Sequence, residues 1–186
     1  MSILSKLKGF GSKIVQGIKE LTLPQSNKAI KELIKEKKKL SVKDFKPGNI
    51  ILMKYVAKDD TQTYDKTPLA LVLRSNSTHT LALNFHWAPL SMRINLIKII
   101  IITNKKNIQR NKPLEFDYQQ IRPLLKQLGY APIIRRYINS RISSQGVVIP
   151  PERLMQVARL KTESFTNGKF SAAQMLAMAK RRGKTK

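Results

Sequence analysis

The stretch LALVLRSNSTHTLALNFH, Leu69 to His86, constrains the fold most. Leu81, Leu83 and Phe85 alternate with Thr80, Ala82 and Asn84, the period of a half-buried strand. The short SNST turn between two such runs makes them an antiparallel hairpin. Ahead of it, Pro47-Gly48 is a turn signal and Asn49 to Ala57 reads as a strand. DDTQTYDKTP, Asp59 to Pro68, is an excursion loop. Strand, long loop, strand, tight turn, strand opens a small, strongly bent barrel or sheet of the SH3-like kind. The fold expected is therefore α+β, with this unit flanked by helices.

The flanks carry a different period. Leu4, Leu7, Ile14, Ile18 and Leu21 fall at helical steps with lysines between them, an amphipathic pattern weakened by Gly9, Gly11 and Gly17. Such a helix forms against a partner, a protein surface or a membrane surface, and Pro24 ends it. Residues 26–45 are a second helix, capped by Ser26, with Ala29, Ile30, Leu33 and Ile34 on its apolar side. After Pro89, Leu90, Ile94, Ile97 and Ile101 suit a helix to about Ile102, although the isoleucine run 99–102 equally suits a strand. Residues 104–113 form a basic loop. FDYQQIRPLLKQLG is a helix capped by Asp117, stopped at Gly129 and interrupted by Pro123. APIIRRYINSRI is read as a helix with Pro132 in its first turn and Ile133, Ile134, Tyr137 and Ile138 as its stripe. A loop or short strand, a short helix after Pro151, and a last helix capped by Ser171 complete the chain.

Charge divides along the same lines. The 186 residues hold 36 Lys+Arg and 11 Asp+Glu, a net of +25. Residues 1–46 carry a net of +8, 47–104 only +3, and 105–186 a net of +14. The four regions expected are a basic helical N-terminal arm (1–46), a β unit with its following helix (47–104), a basic helical region (105–170), and a C-terminal helix with a basic tail (171–186). A chain this cationic binds polyanions, with nucleic acid or an anionic membrane as natural partners.

Several chemistries are excluded. No cysteine is present, so disulfides, thiolate metal sites and cysteine nucleophiles are ruled out. No apolar run reaches the ~18 residues of a transmembrane helix. The N-terminus lacks the continuous apolar core of a signal peptide, and no arginine precedes Arg74, which argues against a presequence. No phosphate loop, nucleophile elbow, zincin motif or acidic cluster at metal spacing occurs, so no enzyme, cofactor or metal is expected. Asp59, Asp60 and Asp65 are explained as turn residues. Glu115 and Asp117 are explained as helix-start residues. His79 and His86 stand seven apart, which places them on opposite faces of a strand. His86 with Trp87 reads as a structural corner, the imidazole on a backbone carbonyl and the indole closing the core. The competing reading has Trp87 stacking on a base.

The candidate nucleic-acid residues are Lys37, Lys38, Lys39, Lys105, Lys106, Arg110, Arg135, Arg136, Arg141, Lys180, Arg181, Arg182 and Lys184. The lysines at 35–39 also fit a solvated helix face. Helical spacing puts Arg141 beside the Tyr137 stripe. Such clusters neutralise phosphates without reading bases, so binding is expected to be sequence-independent and salt-dependent. The candidate partner helix is Leu4, Leu7, Ile14, Ile18 and Leu21.

The strand leading to Tyr55, YDKTPL at Tyr64 to Leu69, the LNFHW corner with Pro89 and Arg93, RRYINSRI and IPPERLMQVA occur in an order that resembles a group of small virion-associated proteins of large tailed bacteriophages. The resemblance spans about two thirds of the chain. It implies a non-enzymatic virion protein of the DNA-end-protection or head- and neck-completion type, near packaged double-stranded DNA. It also implies other virion proteins as partners and several copies in one assembly. The lysine-rich N-terminal arm and the tail depart from that pattern. Size, charge and tails fit a ribosomal or mitochondrial-ribosomal RNA-binding protein equally well.

Overall fold

The computed structural model describes residues 19–35, 38–56, 65, 67–110, 112, 114, 115, 117–150, 153–161 and 170–183; at 34, 38, 39, 42, 120, 145, 182 and 183 it describes the backbone alone. The order is α1 (Leu23–Lys35), β1 (Lys38–Lys39), β2 (Ile50–Tyr55), β3 (Leu69–Ser75), β4 (His79–Asn84), α2 (Leu90–Thr103), α3 (Lys105–Gln109), α4 (Tyr118–Gln127), β5 (Ile134–Ile138), β6 (Ile142–Ile149), α5 (Leu154–Ala158) and α6 (Ala172–Gly183). The strands form one antiparallel sheet in the order β1-β6-β2-β3-β4-β5. It is a curled half-barrel with helices against one face.

The hairpin expected from Leu69 to His86 is β3–β4, with Leu71 opposite Leu83 and Ser75 opposite Thr80. β2, β3 and β4 bury both faces. Ile50, Leu52, Leu71 and Leu83 join the helix-side core, whereas Ile51, Met53, Ala70, Val72 and Ala82 line the concave side. Two-sided burial explains why β2 and β3 read as nearly continuous apolar runs. Gly48 adopts φ 96° at the turn into β2, a conformation that favours glycine, and donates its N–H to Val72.

The segment read as a helix from Pro132 to Ile142 is the main correction. Pro132 does open a turn, but that turn is a single 3-10 turn, Ala131–Ile133. The chain then extends as β5, makes another 3-10 turn at Asn139–Arg141, and returns as β6. The alternation of buried Tyr137 with exposed Arg136 is a strand pattern, and the β-branched and aromatic content of IIRRYI suits it. Residues 105–170 are therefore not helical throughout; they supply two strands of the sheet. Because only three residues link β5 to β6, the sheet must curl to bring its far edge back. Tyr55 spans the gap: it pairs with Ile142, its ring meets Tyr137 edge-on at 5.0 Å, and its hydroxyl lies 3.5 Å from the Ile138 N–H.

α1 differs from expectation at both ends. Thr22, not Ser26, caps it: Thr22 and Gln25 exchange side-chain-to-backbone hydrogen bonds in a capping box. Pro24 lies in the first turn and does not terminate a preceding helix. Ser26 is buried inside the helix, where its hydroxyl accepts from Lys161 N–H. α1 stops at Lys35, and Lys38–Lys39 form a short edge strand on β6, so this lysine run is not a helix face. Charged residues on an edge strand discourage further pairing. β1 crosses β6 at Gly146, where a Cβ would lie 2.3 Å from Leu40 Cδ1 and 2.6 Å from the Leu52 carbonyl oxygen.

α2 resolves the ambiguity at Ile94–Ile102 as helix. It is apolar nearly all round, and Ile94, Leu96, Ile97, Ile99 and Ile100 are buried within this chain. Asn104 ends it, donating to Ile100 O and accepting from the Glu115 N–H at 2.7 Å. The basic stretch that follows contains the short helix α3 rather than a plain loop. α4 starts at Asp117, whose carboxylate accepts from Gln119 N–H, tolerates Pro123, and ends before Gly129 at φ 75°. Ser171 and Gln174 cap α6 reciprocally.

Candidate functional site

The rare residues of NFHW do converge, together with partners the sequence did not reveal. Asn84 ends β4 and its side chain accepts from His86 N–H, closing a 3-10 turn over Phe85–Trp87. Asp65 enters from the excursion loop. One carboxylate oxygen accepts from Thr67 N–H at 3.0 Å, an Asx turn. The other accepts from Asn84 Nδ2 at 3.0 Å and pairs with His86 Nδ1 at 2.6 Å. Asn84 Nδ2 also reaches the Tyr137 hydroxyl at 3.1 Å. Asp65, Asn84, His86 and Tyr137 are all buried.

Two expectations change here. His86 does belong to a corner, but its partner is the Asp65 carboxylate rather than a backbone carbonyl. Asp65 is more than a turn residue; it ties the excursion loop to the end of β4. Asp59 and Asp60 lie outside the described residues. His79 is half-buried at the hairpin turn, bonded to Thr78, and the register keeps it apart from His86.

Burial, and next the Asp65 charge, hold the Tyr137 hydroxyl well above the usual phenol range, so it stays neutral. The Arg135 charge acts in the opposite sense on Tyr137, and its guanidinium lies 3.9 Å from the centre of the Trp87 ring. A cation over an indole contributes about 1 kcal/mol. Arg135, expected on nucleic acid, is thus a corner residue, and Trp87 is buried beneath it rather than open to a base. β5 delivers both Arg135 and Tyr137, which is why reading that segment as a helix concealed them. The usable signal was the alternation in IIRRYI.

α6 packs against both the Phe85–Trp87 turn and the Ala131–Ile133 turn, with Met175 and Ala179 buried. The corner therefore seats the helix that carries Lys180 and Arg181, both exposed. The Arg182 side chain and Lys184 lie outside the described residues. Lys105, Lys106 and Arg110 are exposed on and beside α3, brought together by that helix at the end of α2. Arg136 is exposed on β5. Arg141 sits half-buried in the turn from β5 to β6, not one helical turn from Tyr137, and its carbonyl accepts from Val56 N–H. Lys37 and the Lys38 and Lys39 side chains are not described.

A second buried charge anchors the other end of the chain. Arg93, 1% exposed on α2, donates to the Leu160 carbonyl and pairs with Glu20. Leu21 N–H donates to Arg159 O, and Arg159 Nε donates to Lys19 O. Leu21, expected on a partner helix, packs half-buried on this chain's own core. Leu4, Leu7, Ile14 and Ile18 lie outside the described residues. No transmembrane-length apolar helix and no group of potential metal ligands occurs among the described residues. No family model, curated protein or solved structure matches the chain.

Proposed function

We propose that the chain is a non-enzymatic structural protein of a tailed-phage particle, binding duplex DNA without sequence preference and contacting other virion proteins through basic surfaces. The observation that carries this reading is uncompensated charge. Lys105, Lys106, Arg110, Lys112, Arg136, Lys180 and Arg181 are exposed and make no ion pair among the described residues. A surface of this kind neutralises phosphates by releasing counterions.

The fold reading in finer form is an SH3-like unit with basic arms. Support comes from connectivity: a long excursion between β2 and β3, a tight turn between β3 and β4, a 3-10 turn between β5 and β6, and β6 beside β2. The helices of residues 90–127 are then an insertion between the third and fourth barrel strands. The resemblance in motif order supports placing the protein in a virion, with a head or neck location as its site of action.

Titration with two unrelated duplexes over a salt series tests the binding claim. Neutralising four phosphates gives a log–log slope of about −3.6, the same for both duplexes. Affinity independent of salt would refute it. Tighter binding to folded RNA than to duplex DNA would favour the ribosomal alternative.

A further inference from the structure

Two hydrogen bonds fix how α4 lies along α2. The Glu115 N–H, just ahead of α4, donates to Asn104 at the end of α2. The Tyr130 hydroxyl, just after α4, donates to the Met92 carbonyl near the start of α2. α4 therefore runs antiparallel to α2, and its C-terminal end arrives where α6 rests on the Phe85–Trp87 and Ala131–Ile133 turns. Arg122 and Lys126 are exposed on α4, four residues apart and so on one face. Neither belongs to a cluster visible in the sequence: Arg122 stands between Ile121 and Pro123, Lys126 between Leu125 and Gln127.

The elements around this face carry only positive charge. Residues 118–151 and 164–186 contain no Asp or Glu, which leaves α4, β5 and α6 without an acid. On α6, the exposed Lys180 and Arg181 follow directly on Ala179, which is buried in the helix-side core. Arg136 stands opposite Leu81, a residue packed on that core, so β5 presents it on the side where α4 and α6 lie. The acids Glu115 and Asp117 stand at the head of α4, between these cations and Lys105, Lys106 and Arg110 on and beside α3. The α3 group also lies beyond the far end of α2, whose 14 residues span about 21 Å, roughly two Debye lengths at 0.1 M salt. The exposed cations are thus divided into two groups that act separately.

We propose that one run of duplex phosphate backbone lies across Arg122 and Lys126 of α4 and Lys180 and Arg181 of α6, with Arg136 at its border. The inference rests on the duplex-binding function proposed for the chain and names the surface that performs it. Arg122 and Lys126 stand about 6 Å apart along α4, close to two phosphate steps of one strand at about 3.4 Å of axis each. With no carboxylate on the three elements to offset them, these side chains keep their full power to displace counterions.

The full chain and its variants are titrated with the same two duplexes over the same salt series. Arg122→Gln with Lys126→Gln removes two contacts. The log–log slope is expected to become shallower by about 1.8, and binding at 0.1 M salt to weaken about 60-fold relative to a 1 M reference. Glutamine keeps helix propensity at two exposed positions, so the urea midpoint is expected to stay in place. Lys105→Gln with Lys106→Gln removes the same charge from α3 and is expected to leave the slope nearly unchanged. Arg122→Lys with Lys126→Arg keeps both charges and is expected to keep the slope. A parent chain whose affinity ignores salt would sink the duplex-binding function itself. A steep parent slope that persists in Arg122→Gln/Lys126→Gln would overturn this inference alone. Equal shifts for the α4 and α3 pairs, which net charge by itself would produce, would overturn it too, as would loss of the slope in the charge-keeping variant.

Discussion

Replacing Asp65 by alanine tests the corner most severely. The carboxylate is the shared acceptor for Thr67 N–H, Asn84 Nδ2 and His86 Nδ1, and its side chain is 3% exposed. Alanine leaves these donors without their acceptor in a site too enclosed for bulk water to replace it. Leaving three donors unsatisfied, at roughly 1–3 kcal/mol each, costs about 4 kcal/mol in all. With a urea m-value of about 2.5 kcal/mol per M, the unfolding midpoint should fall by about 1.6 M. Asp65→Asn keeps the volume and one acceptor but turns a donor toward Asn84 or Thr67, so about 2 kcal/mol is expected. Because α6 rests on the Phe85–Trp87 turn, amide exchange in α6 should quicken in Asp65→Ala before the β2–β3 pairing is affected. Equilibrium urea unfolding followed by Trp87 fluorescence, with hydrogen exchange, reads both effects. A loss under about 1 kcal/mol, the range of an exposed pair, would refute the claim that this network holds the corner.

Gly146→Ala should cost about 2 kcal/mol and detach β1, because the Leu52 carbonyl 2.6 Å from the new Cβ cannot move aside as Leu40 can; loss of exchange protection at Leu40 N–H would show it. Arg93→Ala should destabilise by about 3 kcal/mol and open the segment around Lys19 to trypsin, since Glu20 and the Leu160 carbonyl lose a common donor; unchanged proteolysis would contradict this. Tyr130 and Tyr137 are both held neutral by burial, so their folded pKa values lie above the unfolded value of about 10. Their contribution is complete below that pH and is lost as pH rises beyond it. Tyr137→Phe should flatten the alkaline stability profile, and an unaltered slope would argue against it.

Much of the fold was legible where one period dominated. The β3–β4 hairpin, α4 and the capped α6 follow from alternation, helical spacing and cap residues that local chemistry enforces, whereas α2, apolar nearly all round, left helix and strand both open. The failures occurred where a genuine local signal had a shorter reach than assumed. Pro132 starts a turn of only three residues, and the strand after it is fixed by pairing with β4, a long-range partner that no local window shows. Thr22 and Ser26 are both plausible caps, and the choice depends on whether Ser26 faces Lys161, 135 residues away. The network itself was the least visible part. Asp65, Asn84, His86 and Tyr137 come from three separate segments, and their polarity looks like surface chemistry until the curl of the sheet encloses them.

Among the described residues, two contacts to nearly enclosed partners form roots for the two basic ends. Glu20 on Arg93 ties the segment around Lys19 to α2. Asp65 on His86 stiffens the turn that seats α6, which leads to Lys180 and Arg181. In each pair at least one partner is almost wholly enclosed, so mobile ions screen it far less than they screen exposed lysines. Attraction between the exposed cations and a polyanion should therefore fall steeply with salt while the roots persist. Under the proposed function, rising ionic strength would release nucleic acid while both of these contacts stay formed. The proposed function would also suit a chain that commits two of its few acids to these contacts: a carboxylate among the exposed lysines would weaken phosphate binding, whereas one held by a buried partner fixes geometry at less cost to the charge presented outward.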